Sequence, residues 1–278
     1  HFAEAKNLLQ AIKEIQNEDS NFEMYVMLGA WIDCEGAWTD CPNHDQEDLE
    51  KNTAEINEAV RLANEYSDIV KIISVGNEAT IKWAETYYVK HAVILKWVKY
   101  LQALKENKKL DENVWITSSD NFASWGGQEE YRGETLQKLV QAVDYVSMHT
   151  YPFHDTFYNP QFWVTRTSSY KDKDDLIKAA MKRAADYSIK QYMLVKNYIA
   201  DICPEKEIHI GETGWASIST DQYGAEGTRA ADEYKQALYY KYISESCNQL
   251  GVKCFYFSAF DEPWKDFKNP QGSENHFG

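Results

Sequence analysis

The sequence predicts an α/β fold in which strands and helices alternate along the chain. Short runs rich in apolar residues indicate strands at residues 23–32, 71–78, 114–120, 144–152, 207–212 and 252–260. The run at 71–78 shows no polar–apolar alternation, which is typical of a parallel strand buried on both faces. Apolar residues at helical spacing between these runs predict helices at residues 3–16, 52–66, 81–106, 133–142, 172–200 and 229–250.

Two long polar stretches, residues 33–50 and 153–171, are predicted to be loops. The second is longer than most connections, which makes it a candidate binding loop. The order of elements and the length of 278 residues predict one α/β domain over residues 1–278, because α/β barrels often form a single unit of roughly 250 residues. Six strands are predicted, whereas a closed TIM (β/α)8 barrel has eight.

The charge of the chain limits its partners. A formal net charge of −15 argues against nucleic acid and anionic membrane surfaces, since both would repel the protein. Aromatic residues make up 14% of the chain, which is enough to provide faces for stacking on sugars. No apolar run approaches the roughly 20 residues of a membrane helix. We therefore expect a monomer that binds a neutral ligand.

The cysteines do not form a disulfide framework, because the chain has five of them and no CxxC motif. Cys34 and Cys41 share one polar loop, and whether they are bridged is open. No signal peptide is visible, but the chain starts inside a predicted helix, so a leader could precede it.

Two predicted strands end in a glutamate. Glu78 closes the sequence Val75-Gly-Asn-Glu78, and Glu212 lies in Gly211-Glu-Thr-Gly-Trp215. Side chains at the carboxyl ends of barrel strands face the active site, so the two carboxylates are expected to meet in one cleft. Paired carboxylates cleave glycosidic bonds, one as the acid and the other as nucleophile or base. Either glutamate alone could instead pair with a lysine at a strand end.

Other kinds of catalytic site are not indicated. Two groups of residues were considered as metal ligands, and the spacing of neither matches a known site: His149 with His154, and His44 with Asp40 and Asp45. The chain has no glycine-rich phosphate loop and no nucleophile elbow for serine or cysteine. We therefore expect no metal and no cofactor.

Several strand ends together resemble the family 17 glycoside hydrolases, which are β-1,3-glucanases of the laminarin-degrading kind. The matching segments are 75–78, 211–215, Ser147-Met-His-Thr-Tyr-Pro152, Phe260-Asp-Glu-Pro-Trp-Lys265 and His276-Phe-Gly278. The resemblance implies a TIM (β/α)8 barrel and a retaining mechanism, with the acid/base after the fourth strand and the nucleophile after the seventh.

The position of the glutamates also bears on the extent of the barrel. Glu78 and Glu212 end the second and fifth predicted strands, which is the same separation of three as in the family. The helix at residue 3 then resembles the second helix of the family. We therefore expect the first two strands and the first helix to be absent from residues 1–278, and the chain to be a portion of a longer protein.

The resemblance implies roles for five polar residues. Glu78 would be the general acid/base and Glu212 the nucleophile. Lys265 would supply the positive charge beside Glu212, with Glu262 bridging or orienting it. Asn77 would bind the 2-hydroxyl of the sugar. The alternatives are a solvated surface lysine at 265 and a strand-end cap at Asn77.

Aromatic residues near the strand ends are candidates for stacking on sugars. Tyr151, Trp215 and Trp264 are the first choices, and Trp31, Trp125 and Trp163 are the second. Each of them could pack in the core instead. His149 is expected to donate to a sugar hydroxyl or to Glu212, or to be a buried strand histidine.

The resemblance predicts a secreted, periplasmic or cell-surface endo-β-1,3-glucanase that acts on laminarin-type glucans by double displacement. Retention requires the two carboxyl groups to lie about 5–5.5 Å apart. Three alternatives are left open: a β-1,3-glucanosyltransferase with the same catalytic pair, a non-catalytic glycan-binding barrel, and a barrel enzyme for another neutral polysaccharide such as mixed-linkage glucan, mannan or xylan.

Overall fold

The computed structural model describes residues 2–163, 172–220 and 229–278. The α-helices in these residues are α1 (Phe2–Glu18), α2 (Leu49–Glu65), α3 (His91–Glu106), α4 (Glu134–Ala142), α5 (Pro152–Tyr158), α6 (Lys173–Ala200) and α7 (Glu233–Leu250). The strands are β1 (Val26–Ala30), β2 (Cys34–Glu35), β3 (Asn43–Glu47), β4 (Val70–Asn77), β5 (Trp115–Asn121), β6 (Val146–His149), β7 (Ile208–Thr213) and β8 (Cys254–Tyr256). None of the described helices is long and apolar enough to cross a bilayer.

The chain divides into two compact units. The first comprises His1–Ser147 and Asn197–Glu207, and the second comprises Met148–Lys196 and Ile208–Gly278. Strand β6 begins in the first unit and ends in the second. The expectation of one catalytic domain over residues 1–278 stays a prediction.

The sheet of the first unit contains β1, β4, β5 and the start of β6, in that order. Strands β1, β4 and β5 run parallel, with Ala30 opposite Val75 and Ser74 opposite Thr117. Residues Ile73 to Gly76 of β4 are all buried, as their unbroken apolar run predicted. Buried serines link the strands, because Ser74 Oγ lies 3.0 Å from Ser119 Oγ. Helices α2 and α3 cover the sheet with their apolar faces.

The second unit contains the end of β6 followed by β7 and β8. The backbone N–H of Thr150 donates to the carbonyl of Glu212 over 3.0 Å, and β7 runs parallel to β8 with Ile210 opposite Cys254. Helix α7 begins at an Asp232 cap and ends at Gly251, whose φ of 67° suits glycine.

All six predicted strands are present, but the polar stretch 33–50 is not a plain loop. It holds the antiparallel hairpin of β2 and β3, in which Cys34 lies opposite Glu47, and then the start of α2. The hairpin was missed because its strands are short and polar and lack the alternating apolar pattern that marks a strand in sequence.

The helix predicted at 81–106 was wrong at its amino end, since α3 begins at His91. Ile81 and Ala84 lie in a loop and pack with Ala123 in a small separate cluster. The loop buries these apolar residues, and their spacing therefore resembled that of a helix.

The long loop predicted at 153–171 also contains regular structure. Helix α5 and a short 3-10 helix, Pro160–Trp163, occupy its first part. Residues 164–171 lie outside the described residues.

Candidate active site

In the first unit, a tight turn after β4 presents Glu78. Gly76 has a φ of 77°, and a Cβ added there would lie 2.8 Å from the Cβ of Ala79, so the turn requires glycine. Glu78 itself has a φ of 47°, a conformation that costs a side-chain-bearing residue about 1 kcal/mol. Its N–H donates to the carbonyl of Ser119 over 2.9 Å. Glu78 is half-buried and Asn77 is exposed, which leaves the acid and its neighbour within reach of solvent.

The buried carboxyl of Asp120, which was not predicted from the sequence as a site residue, holds this turn. Asp120, at the end of β5, accepts hydrogen bonds from the N–H of Thr80 over 2.7 Å and from its hydroxyl over 2.8 Å. Burial, together with the charge of Glu78, raises the pKa of Asp120 to about 7. Since Thr80 follows Glu78 by two residues, Asp120 is a positioning residue for the turn. Its place at a strand end was the signal available in sequence.

Asp120 and Thr80 belong to a cluster of polar side chains that also contains Ser124 and a neutral histidine, His91. His91 Nε2 lies 3.2 Å from the hydroxyl of Thr80 and 3.1 Å from that of Ser124. Burial lowers the pKa of His91 to about 4, so its ring is uncharged near neutral pH. Asp120 is therefore the group of this cluster that changes its charge near pH 7.

The variant Asp120→Asn tests this titration. Because the raised pKa of Asp120 means that the folded state holds the proton more tightly, its stabilisation is complete below the ordinary carboxyl range and is lost as pH rises through about 7. Between about pH 5 and pH 8, the unfolding free energy of the wild type should fall by about 2 kcal/mol relative to that of the variant. Urea unfolding across this range measures the difference. Parallel curves would contradict the prediction, and Asp201→Asn, at an exposed position, is the control.

In the second unit, Glu212 lies near the end of β7. It contacts His149, the last residue of β6, and Tyr151, which follows β6. The hydroxyl of Tyr151 donates to Glu212 Oε1. His149 Nδ1 lies 3.8 Å from Glu212 Oε2, and His149 is buried. The Glu212 side chain keeps 28% of its surface exposed. The structure thus brings together three of the predicted residues around one accessible carboxylate.

Lys265, the residue predicted to supply a charge to Glu212, contacts Glu262. Lys265 Nζ lies 3.0 Å from Glu262 Oε2, and 4.0 Å from the ring centroid of Phe257. The Lys265–Glu262 contact is an ion pair whose angles fall outside hydrogen-bond geometry. Among the described residues, the basic side chain within 4 Å of the Glu212 carboxylate is His149, which carries a charge only when it is protonated. The expectation that Lys265 supplies the positive charge for Glu212, with Glu262 bridging or orienting it, stays a prediction.

Two of the predicted stacking residues are enclosed by the protein. Trp215 is completely buried, its indole N–H donates to the carbonyl of Ala230 over 2.9 Å, and Phe153 packs edge-on against it. Trp125 is also buried, and its indole N–H donates to the carbonyl of Ser147 over 2.9 Å. With the ring covered and the N–H satisfied, neither offers a face to a sugar, so both predictions were wrong and both residues belong to the core.

The remaining predicted aromatics are accessible to different extents. Trp264 is exposed, Tyr151 is half-buried, and Trp163 is half-buried and packs edge-on against Trp215. Trp31 is half-buried, and its indole N–H donates to Asp33 Oδ1 over 2.6 Å. Stacking on sugars by Trp264, Tyr151 and Trp31 stays a prediction.

The expected separation of about 5–5.5 Å between the two carboxyl groups stays a prediction as well. Glu78 belongs to the first unit and Glu212 to the second. Each lies at the carboxyl end of its strand, which is where barrel enzymes place catalytic groups.

Thiols, metal ligands and cavities add no further catalytic group. All five cysteines are free, with Cys34 buried and Cys41 exposed. Within the described ranges, no three histidine, cysteine, aspartate or glutamate residues are grouped as metal ligands. A surface cavity of about 460 Å³ in the first unit is lined by Trp115, at the start of β5, and by Glu207 before β7. It therefore lies at the amino ends of these strands, away from the edge that carries Glu78.

Comparison with solved structures supports the barrel assignment. The structure matches that of an endo-laminarinase from Formosa Hel1_33_131 with a TM-score of 0.95 and 57% identity, over 99% of this chain and 70% of that one. A β-1,3-glucanosyltransferase of Rhizomucor miehei matches with a TM-score of 0.62 and 20% identity, over 99% of this chain and 76% of that one, which shows a shared fold. The fold is that of a TIM-barrel glycoside hydrolase, and the described residues carry six of its strands.

Comparison with curated proteins gives more distant relatives. A glucan 1,3-beta-glucosidase of Arthroderma benhamiae is 28% identical over 249 residues, which are 86% of this chain and 61% of that protein. The chain spans about a third of the length of two Aspergillus relatives that are 23% identical. Residues 3–278 match the family described as the BtgE/BtgC glycoside hydrolase domain. Because this match covers nearly the whole chain, the protein belongs to the BtgE/BtgC glycoside hydrolase family.

Proposed function

We propose that the protein is a retaining endo-β-1,3-glucanase of glycoside hydrolase family 17 that acts on laminarin-type glucans. The observation that carries this proposal is the arrangement at Glu212, an accessible carboxylate at a strand end that accepts a hydrogen bond from Tyr151 and faces His149. The likeness to an endo-laminarinase supports the choice of substrate.

In the proposed mechanism, Glu212 attacks the anomeric carbon while Glu78 protonates the departing 3-oxygen of the next sugar. A glycosyl–enzyme ester forms, and the glycosidic bond breaks. Glu78 then takes a proton from water, which attacks the same carbon and releases Glu212. Both carboxyl groups must therefore reach one anomeric carbon.

Neighbouring side chains support these steps. The hydroxyl of Tyr151 donates a hydrogen bond to Glu212 Oε1, which leaves Oε2 for the attack. His149 is buried, and its Nδ1 lies 3.8 Å from that second oxygen. Asn77 is exposed next to the acid, and in this proposal it binds the 2-hydroxyl, an interaction that strengthens in the transition state. Glu262 and Lys265 form a separate ion pair in the same unit as Glu212.

Product analysis tests the proposal. The protein is incubated side by side with laminarin, lichenan and xylan, and the products are sized over time. Short β-1,3-oligosaccharides should come from laminarin, and proton NMR should show the β-anomer first. Initial release of the α-anomer would contradict retention, and absence of laminarin products would contradict the substrate. With a laminari-oligosaccharide as the substrate, products longer than that oligosaccharide would instead identify a glucanosyltransferase.

We also propose that the protein acts outside the cytoplasm, as a secreted, periplasmic or cell-surface monomer. β-1,3-Glucan polysaccharides do not diffuse across membranes, so a hydrolase that acts on the intact polymer meets it outside the cytoplasm. The net charge of −15 favours solubility and disfavours association with anionic surfaces.

The variant Tyr151→Phe should lower kcat/KM on laminarin by about tenfold to a hundredfold, because a hydrogen bond to a charged group contributes about 1.5–3 kcal/mol. Steady-state kinetics measure the loss, which should fall mainly on kcat. The unfolding midpoint serves as the control, since the phenyl ring keeps its contact with Phe277. Unchanged kcat would contradict the role of the hydroxyl.

A further inference from the structure

Three aromatic rings of the first unit form a surface that we call the aromatic platform: Trp31, Trp38 and Tyr87. The rings of Trp38 and Tyr87 are stacked, with centroids 4.9 Å apart and planes inclined by 19°. Trp31 lies 5.2 Å from Tyr87 and 6.1 Å from Trp38. Trp38 is 59% exposed, so a large part of its ring is open to solvent.

The backbone holds Trp38 in a conformation that tryptophan rarely adopts. Its φ is 66°, in the left-handed region that is unfavourable for a bulky residue. Its N–H donates to the carbonyl of Thr86 over 2.9 Å, one residue before Tyr87. Since the ring stays exposed, burial offsets little of this cost. The strained, exposed ring therefore indicates a binding role.

The other members of the platform are also fixed. The N–H of Cys34, at the start of the β2–β3 hairpin, donates to the carbonyl of Tyr87 over 3.2 Å. The indole N–H of Trp31 is held by Asp33, a buried residue whose own N–H donates to Asn52 Oδ1 over 2.9 Å. The rings are thus arranged before a ligand arrives, which lowers the entropy cost of binding.

The platform and Glu78 lie at the same edge of the first-unit sheet. Trp31 directly follows β1, and β1 runs parallel to β4 with Ala30 opposite Val75. Glu78 follows β4 by one residue. A glucan chain that reaches Glu78 can therefore continue over the strand next to it, where the platform lies.

We propose that the aromatic platform binds a glucosyl unit of the β-1,3-glucan at a distance from the cleaved bond, with the exposed face of Trp38 stacked on the sugar. The proposal rests on the proposed function for the identity of the glycan. An apolar, neutral face suits the C–H face of a pyranose, and the net charge of −15 disfavours an anionic ligand.

The test removes the indole ring of Trp38 but keeps the backbone conformation at residue 38. Asparagine tolerates positive φ, so Trp38→Asn should preserve the hairpin, whereas Trp38→Tyr retains an aromatic face. Trp115→Ala is the matched control, because Trp115 is 43% exposed at the amino end of β5. Each substitution is combined with Glu212→Gln to prevent turnover, and binding of laminarihexaose and laminaribiose is measured by calorimetry.

Trp38→Asn should weaken binding of laminarihexaose by about tenfold, which corresponds to a loss of about 1.4 kcal/mol for one aromatic contact. Binding of laminaribiose should stay unchanged, Trp38→Tyr should recover most of the affinity, and Trp115→Ala should match the Glu212→Gln parent. In the active enzyme, Trp38→Asn should raise KM for laminarin with kcat unchanged.

Three results would overturn the proposal: no binding of laminarihexaose by the parent, equal binding by parent and Trp38→Asn, or equal weakening for both ligand lengths. Failure of the proposed function is a different result, because the wild-type protein would then release no products from laminarin. The binding comparison is read in Glu212→Gln variants, so it does not depend on turnover.

Discussion

Glu212→Ala is expected to lower kcat/KM on laminarin by at least about 10⁴-fold, the scale of loss seen when a covalent nucleophile is removed. Glu212 is an accessible carboxylate that accepts a hydrogen bond from the hydroxyl of Tyr151. Initial rates on laminarin, compared with those of the wild type, measure the loss. Glu245→Ala, at an exposed position of α7 in the same unit, should keep full activity.

Added azide separates loss of the nucleophile from general damage. The space left by the Glu212 carboxylate admits a small anion on the same face of the sugar, while Glu78 still protonates the leaving group. A single displacement by azide then gives an α-glucosyl azide, identified by NMR. A β-glucosyl azide, or wild-type activity in Glu212→Ala, would exclude Glu212 as the nucleophile.

Glu78→Ala has the second large expected effect. General acid catalysis contributes about 10²–10⁴-fold, so the rate on laminarin should fall by about 10³-fold. An aryl glycoside with an acidic phenol as leaving group needs no proton, so its phenol should appear in a rapid burst followed by slow turnover. Stopped-flow absorbance measures both phases.

The control for this variant is Glu85→Ala, which removes an exposed carboxylate from the same loop. Azide should rescue the slow phase of Glu78→Ala and give a β-glucosyl azide, since it attacks the ester on Glu212. Equal loss of rate on laminarin and on the aryl glycoside would contradict the assignment of Glu78 as the acid.

The sequence predicted the strands well because each is a short apolar run that must be buried. The run ending at Glu78 became β4, and the run ending near Glu212 became β7. The strand-end glutamates could be found for the same reason, since a polar residue that ends such a run lies at the edge of the sheet.

Contacts between distant segments were much harder to predict. Asp120 holds the backbone of Thr80 forty residues away, and Trp38 stacks on Tyr87 although α2 and β4 lie between them in sequence. Neither pairing follows from periodicity, which reports only which side of an element is buried. Trp215 shows the converse, because its place after a strand end indicated a binding residue whereas packing enclosed it.

The sequence by itself determined which segments are strands, the two glutamates that end them and the glycine that turns the chain before Glu78, because burial of apolar runs and the left-handed backbone of Gly76 are local requirements. Only the tertiary structure decided which tryptophans are open, which side chains lie beside Glu212 and which carboxyl is buried against the turn that carries Glu78. These properties depend on neighbours brought together by folding, and the free energy of burial or exposure of a side chain is set by all of those neighbours at once.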